Sequence, residues 1–285
     1  MMGNFRRGLK YVMKNRLTQV GSLMVLSTVI IAVFANLLCP FPEHVWQTDY
    51  KQRLKAPDRT HFFGTDALGR DIFTRVVFGT RISLIVSTLT ILLSLAIGLP
   101  LGLIAGYLGG RIDNLIMRIA DAFLSFPPLL LAMALAPILG YGLHSTIVAI
   151  AVAWWPWYTR LLRGQAVSIR ERTYIEACRA IGASRFRVIS RHVLPNCVAP
   201  ILVQASMDFG AVILTAAALS FLGLGAQPPT PEWGLMISSG RQYFLTHWWI
   251  VFFPGLAIFV LVLAFTLVGD GLRELLDPRV RRALY

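Results

Sequence analysis

Apolar residues in this chain fall into runs too long to be strands or one face of a surface helix. Six stretches, 20–38, 82–104, 116–139, 143–158, 199–222 and 248–268, carry very few charges, and a helix needs about 20 mostly apolar residues to cross the hydrocarbon core of a bilayer. The pattern predicts an all-α membrane protein with six transmembrane helices, the fourth being the shortest. Several of these stretches contain helix breakers, Pro100, Pro127, Pro128, Pro156 and Pro254, which membrane helices tolerate when neighbours satisfy the freed carbonyls. Gly98, Gly102 and Gly106 recur every fourth residue, the spacing that lets two helix backbones approach closely.

Between the first two stretches lies a long polar segment, 39–81. At its end Ile72, Phe73, Val76 and Val77 recur at helical spacing among Asp71, Arg75 and Arg81, which predicts a short amphipathic helix at the membrane surface. Two units follow: residues 1–81, an anchor span with this external segment, and residues 82–285, a compact five-helix bundle. The proline-rich loop GLGAQPPTPEWG, 223–234, joins the fifth and sixth stretches on the same external side.

Composition agrees: 56% of residues are hydrophobic and 14% charged, against about 25% charged in a soluble domain. The net charge of +13 would raise nucleic-acid binding in a soluble protein, but its distribution gives a simpler reason. Lysine and arginine concentrate in 1–19, at Arg111 and Arg118, from Arg160 to Arg191 and from Arg273 to Arg282, which places these segments and both termini in the cytoplasm. The basic start and first stretch resemble a secretory signal, yet an apolar core of 19 residues over 20–38 exceeds the usual ~7–15, so an uncleaved anchor is expected. Cys39, Cys178 and Cys197 are far apart and suggest neither a disulfide framework nor a metal site. All lysines (Lys10, Lys14, Lys51, Lys55) lie near the start and none stands in a phosphate-binding GxxxxGK[ST] context, so this chain does not bind ATP through such a loop.

One segment breaks the pattern. TYIEACRAIGASRFRVISRHVLPN, 173–196, lies between two apolar runs and yet carries Arg179, Arg185, Arg187, Arg191, Glu176 and His192. Tyr174, Cys178 and Ile181 fall on one helical face with Ile175 beside them; Gly182 is a natural stop; Ser184 can cap a second helix with Phe186, Ile189 and Val193 on one face and arginines on the other, ended by Pro195. Two readings fit a helix, glycine corner and helix on the cytoplasmic side: a loop whose arginines meet anionic lipid head groups, or a knob that docks into a groove on a protein partner.

This segment resembles the EAA loop of bacterial ABC importer permeases, in which Glu-Ala-Ala is followed after three residues by Gly and after nine more by Ile-x-Leu-Pro. Glu176, Ala177, Gly182, Leu194 and Pro195 match, while Cys178 stands for the third alanine and His192 for the isoleucine. FGTDALGRDIFTRVVFGTRISL, GGRIDNLIMRIADAFLSFPPLLLA, SFLGLGAQPPTPEWGLMI and GDGLRELLDPR extend the resemblance along nearly the whole chain to the second permease subunit of dipeptide, oligopeptide, glutathione and nickel importers. The resemblance implies a type I ABC importer transmembrane domain in the inner membrane and no enzymatic activity in this chain. It further implies a second homologous permease, two ATPase subunits that bind ATP and Mg, and an extracytoplasmic solute-binding protein. Glu176, Ala177, Cys178, Gly182, Ala183, Leu194 and Pro195 would form the ATPase-coupling surface.

Other classes leave other traces. An ion-coupled secondary transporter spends intramembrane carboxylates on its coupling ion, and Asp121, Asp208 and Asp270 are the candidates. Asp121 lies one turn from Arg118, which suggests an interfacial ion pair, while Asp208 could face the transport pathway or a partner subunit. A membrane enzyme or metal site would gather its histidines, but His44, His61, His144, His192 and His247 are scattered.

Overall fold

A computed structural model describes residues 16–39 and 42–276. The basic tail 1–15 and the arginine-rich end 277–285, which carry the argument for cytoplasmic termini, lie outside the described residues. The described helices are α1 (Arg16–Val33), α2 (Ala35–Leu38), α3 (Ile72–Leu108), α4 (Gly110–Leu124), α5 (Pro128–Leu139), α6 (Leu143–Arg170), α7 (Thr173–Ala180), α8 (Arg185–Val188), α9 (Leu194–Phe221), α10 (Trp233–Gly240) and α11 (Trp249–Leu276). Among the described residues the sole β feature is an isolated bridge between Thr65 and Asp71.

The predicted surface helix before the second span is no separate element. Asp71 caps α3 by accepting from the Thr74 backbone N–H at 2.7 Å, and no break follows for 37 residues, a rod about 56 Å long at about 1.5 Å per residue. Gly79 lies within it because the Trp233 indole packs there, and a Cβ would come within 2.4 Å of Trp233 Nε1. That indole N–H donates to the Val76 carbonyl at 3.0 Å. Pro100 is absorbed inside α3, Pro156 inside α6 and Pro254 inside α11. At Pro127 and Pro128 the chain does break, and α4 and α5 meet at 89°.

Six crossings were expected. Four helices are long and apolar enough to cross a membrane, namely α1, α3, the continuous run from Arg185 to Phe221 and α11; with the bent pair α4 and α5 taken as one span the number is five. The shortfall falls on the stretch 143–158. It forms the first half of the 28-residue α6, where Trp154, Trp155, Pro156, Trp157 and Tyr158 followed by Arg160 and Arg163 dilute the apolar character. One side of α6 is covered by protein, which relieves it of that demand: Ile147, Ile150, Trp154 and Tyr158 pack against Val86 and Ile91 of α3, Ala132 and Ala136 of α5, and Ala205, Val212 and Leu219 of α9.

The glycine repeat sets the closest helix contact. A Cβ on Gly98, Gly102 or Gly106 would stand 2.7, 2.6 and 2.5 Å from the carbonyl oxygens of Trp155, Thr159 and Arg163, so α3 and α6 run backbone against backbone. The same logic docks α1 on α11, where Gly21 meets Leu267 and Gly271 meets Thr18.

One end of the bundle is closed by a cap built from 42–71 and 223–247. Arg75, 2% exposed, donates to the carbonyls of Val45, Pro229 and Thr230, which staples the two segments together. His61 Nδ1 lies 2.9 Å from Asp71 Oδ1. Hydrogen bonds from the His61 backbone N–H and the Thr60 hydroxyl hold the exposed Asp58 carboxyl down to about 2. Glu232 caps α10 through the Leu235 N–H at 2.8 Å, and burial raises its carboxyl above the ordinary value. The opposite end carries the arginines and the helix corner.

Candidate functional site: a helix corner at the arginine-rich end

Residues 173–196 form the expected corner. After α7 the chain turns at Gly182, whose φ of +83° is the left-handed conformation that only glycine adopts without strain. Gly182 N–H donates to the Arg179 carbonyl at 2.9 Å and Ala183 N–H to the Cys178 carbonyl at 3.0 Å, the paired bonds of a Schellman stop that satisfy the last carbonyls of the helix. Ser184 then caps α8 by accepting from the Arg187 N–H at 3.4 Å.

Pro195 does not end the second helix. Residues Ile189–Val193 widen into a π-turn, and the chain passes through it into α9 with Pro195 in the first turn. A proline lacks an N–H and crowds the carbonyl four residues earlier; the wider turn, in which Leu194 N–H reaches back to the Ile189 carbonyl, takes up that mismatch. The extra residue also shifts the buried face. Val188 and Val193 are fully buried, five apart, together with Ile175 of α7. Ile181 and Phe186, expected on the apolar faces, instead stand 84% and 80% exposed at the tip. Nothing in the residue spacing gives this inversion; the one available signal is a proline inside a helix that continues past it.

The coupling residues implied by the resemblance share this knob. Glu176, Ala177 and Gly182 are exposed, Cys178 and Ala183 half-buried, Leu194 half-buried and Pro195 exposed at the root. The two departures from the family pattern meet: Cys178 Sγ lies 3.8 Å from His192 Nε2. The root packs on the ends of the two central helices, with Ile175, Val188, Val193 and Cys197 against Leu103 and Tyr107 of α3 and Leu162, Ala166 and Ile169 of α6.

Asp121 and Asp208 lie elsewhere. Asp121 pairs with Arg160 across to α6 at 2.5 Å rather than with Arg118, and both side chains are more than half exposed. About two turns nearer the start of α4, Arg163 grips Asp113 through Nε and Nη2 at 2.5 and 2.7 Å, a bidentate pair that spacing did not reveal. Asp208 is 9% exposed; Oδ1 accepts from Gln204 at 3.0 Å. Tyr158 and Trp154 turn toward the same carboxylate without completing a hydrogen bond to Oδ2. Among the described residues no group of three His, Cys, Asp or Glu side chains could hold a metal.

Membrane-length helices, a glycine corner on the charged end of the bundle and a capped opposite end describe a membrane protein that presents a rigid knob at one end. The family profile described as binding-protein-dependent transport system inner membrane component matches residues 98–282, and the chain belongs to that family. It is 47% identical over 277 residues, 97% of this chain and 90% of the relative, to the dipeptide transport system permease protein DppC of Alkalihalophilus pseudofirmus. Over 92% of this chain and 88% of the relative it is 44% identical to the probable D,D-dipeptide transport system permease protein DdpC of Escherichia coli strain K12. Over 94% and 88% it is 44% identical to the glutathione transport system permease protein GsiD of Shigella flexneri serotype 5b. Among solved structures, an inward-facing conformation of the MetNI methionine ABC transporter superposes with a TM-score of 0.59 at 22% identity, covering 72% of this chain and 98% of that one; at that identity the likeness is one of fold, the type I importer permease. The chain is thus an inner-membrane permease subunit of a dipeptide/oligopeptide-type ABC importer. Family membership displaces the ion-coupled alternative, places ATP hydrolysis in other subunits and implies ATPase and solute-binding partners.

Proposed function

We propose that this chain forms half of a translocation pathway for dipeptides or closely related short peptides, paired with a second homologous permease. The named relatives serve dipeptides, D,D-dipeptides and glutathione, which favours a short peptide cargo over a nickel complex. Two ATPase subunits bind ATP and Mg and grip the corner; both termini and the corner lie in the cytoplasm, and the cap faces the solute-binding protein. Glu176, Ala177, Cys178, Gly182 and Ala183 act as the coupling surface, with Leu194 and Pro195 fixing its root. Asp208 lines the pathway or the interface with the second permease; Asp121, held by a surface ion pair, is the weaker candidate.

The observation that carries the coupling role is the tip itself. Two large apolar side chains stand in solvent on the same corner as an exposed carboxylate that forms no ion pair among the described residues, while Ile175, Val188 and Val193 anchor the corner on α3 and α6. A loop held flat on lipid has no use for Glu176, whereas a protein groove takes up both features.

Gly182→Val tests it. No atom lies within 4 Å of a Cβ at this position, so the substitution strains the backbone alone, by about 1–2 kcal/mol for a left-handed residue. Insertion and permease pairing should survive, while ATPase co-purification and uptake of labelled dipeptide fall sharply. Phe186→Ser should act in the same direction and Arg187→Gln should be mild. Normal ATPase retention and transport in Gly182→Val, with failure of Arg187→Gln, would overturn the coupling role.

A further inference from the structure

At the root of the corner lies a cleft that shares only Ala183 with the proposed coupling surface. Tyr107 and Leu108 from the end of α3, Arg170 from the end of α6, Arg179 from α7, and Ala183 and Arg185 from the corner line a space of about 450 Å³. Three arginines line it and, among the described residues, no carboxylate does. Arg170 has Glu171 at 3.7 Å, on a largely exposed side chain; among the described residues neither Arg179 nor Arg185 forms an ion pair.

The cleft is held in shape. Arg179 Nε donates to the Tyr107 hydroxyl at 3.2 Å and its guanidinium stacks over that ring at 5.0 Å, which fixes its plane and leaves its terminal N–H groups unused. Arg170 Nη1 donates to the Tyr107 carbonyl at 3.4 Å. Gly109 makes room for it, since a Cβ there would stand 2.9 Å from Arg170 Nη1. Three like charges kept this close repel one another unless an anion joins them, and rigid forked donors suit the oxygens of a phosphate.

The surroundings indicate which phosphate. The cleft lies at the ends of α3 and α6, one turn beyond the apolar stretch 82–104 that would fill the hydrocarbon layer, and basic pockets between helix ends at that level suit anionic lipid head groups. Exposed apolar residues stand close by along the chain: Ile104, one turn before Leu108, and Ile112, Leu115 and Ile119, an apolar stripe on α4, which begins two residues after Leu108. A soluble phosphate would need the arginines alone, whereas an acyl chain also accounts for the stripe. We infer that this cleft binds the phosphate head group of an anionic phospholipid of the adjoining leaflet, so that the corner offers its tip to protein and its root to lipid.

The whole importer, with its ATPase subunits, is reconstituted in phosphatidylcholine with or without phosphatidylglycerol, and bound lipid is counted by native mass spectrometry. The wild type should retain phosphatidylglycerol through delipidation. Arg170→Gln/Arg185→Gln should retain several-fold less, Arg170→Lys/Arg185→Lys should recover most of the binding, and ATPase content should be equal in all three. Should the double glutamine variant fail to assemble, Arg185→Gln alone, which removes no contact within the fold, should still show a measurable loss. Equal retention by wild type and the glutamine variants overturns the proposal. So does displacement of the lipid by millimolar inorganic phosphate, which would make the site one for a soluble anion. Loss of ATPase subunits from the glutamine variants in pure phosphatidylcholine overturns it as well, because the arginines would then serve a protein contact.

Discussion

Asp113 is 9% exposed at the start of α4, and Arg163 is its ion partner. Arg163→Ala leaves that carboxylate largely desolvated; a fully buried orphan charge costs about 3–5 kcal/mol, but partial exposure of the arginine screens this pair, so a loss of about 1–3 kcal/mol is expected. Asp113→Asn in the same chain should recover much of it, read as the thermal midpoint of the detergent-solubilised subunit. No recovery in the double variant would mean that Arg163 acts through packing instead. At this scale Gly182 and Ser184 were legible because each does one thing the backbone demands, a left-handed stop and an N-cap. Ile181 and Phe186 were not, because helical spacing shows that residues share a face and not which way that face points.

Elements follow backbone accounting more than side-chain pattern. The unbroken α3 was hidden by a change from amphipathic to wholly apolar composition near Ile82, which resembles a boundary although no breaker stands there. The glycine repeat was legible as a site of close approach, and its partner, α6, was not, since no residue type marks a carbonyl. Gly102→Leu would force α3 and α6 apart at a contact with no spare space. Overpacking of this kind costs about 1–3 kcal/mol, and the prediction is a lower thermal midpoint with reduced subunit assembly. Gly255→Leu on α11, where a Cβ meets nothing within 4 Å, should leave both unchanged and serves as the control. Equal damage from the two would remove the close-contact reading.

For the whole molecule the thiols report both topology and burial. Burial pushes the Cys39 thiol up to about 11, so the neutral form persists through ordinary pH, and about 1% is thiolate at pH 9. Cys178 is half-buried. In opened membranes a maleimide should modify Cys178 and leave Cys39 and Cys197 largely untouched. In intact cells an impermeant reagent should miss Cys178 yet reach a cysteine placed at Thr48; the reverse pattern would invert the proposed orientation. The all-helical class and the corner were legible across the chain because long apolar runs and glycine stops are local signals. The modest apolarity of α6 was not, because one side of it is covered by protein and has no need to be apolar enough to face lipid.

The contact between α3 and α6 has a mechanical consequence. Two rods whose backbones meet at three glycines spaced a turn apart leave no room for a side chain between them, so sliding one along the other would carry the bulkier neighbours of those glycines into the seam. They form a single strut, and α3 alone outreaches the roughly 30 Å hydrocarbon layer. Under the proposed coupling role, a push on the corner, seated on the ends of both rods, would therefore arrive at the stapled cap as tilt rather than as compression. Flexure has to occur elsewhere, and the right-angled break at Pro127 and Pro128 is the joint free of that constraint.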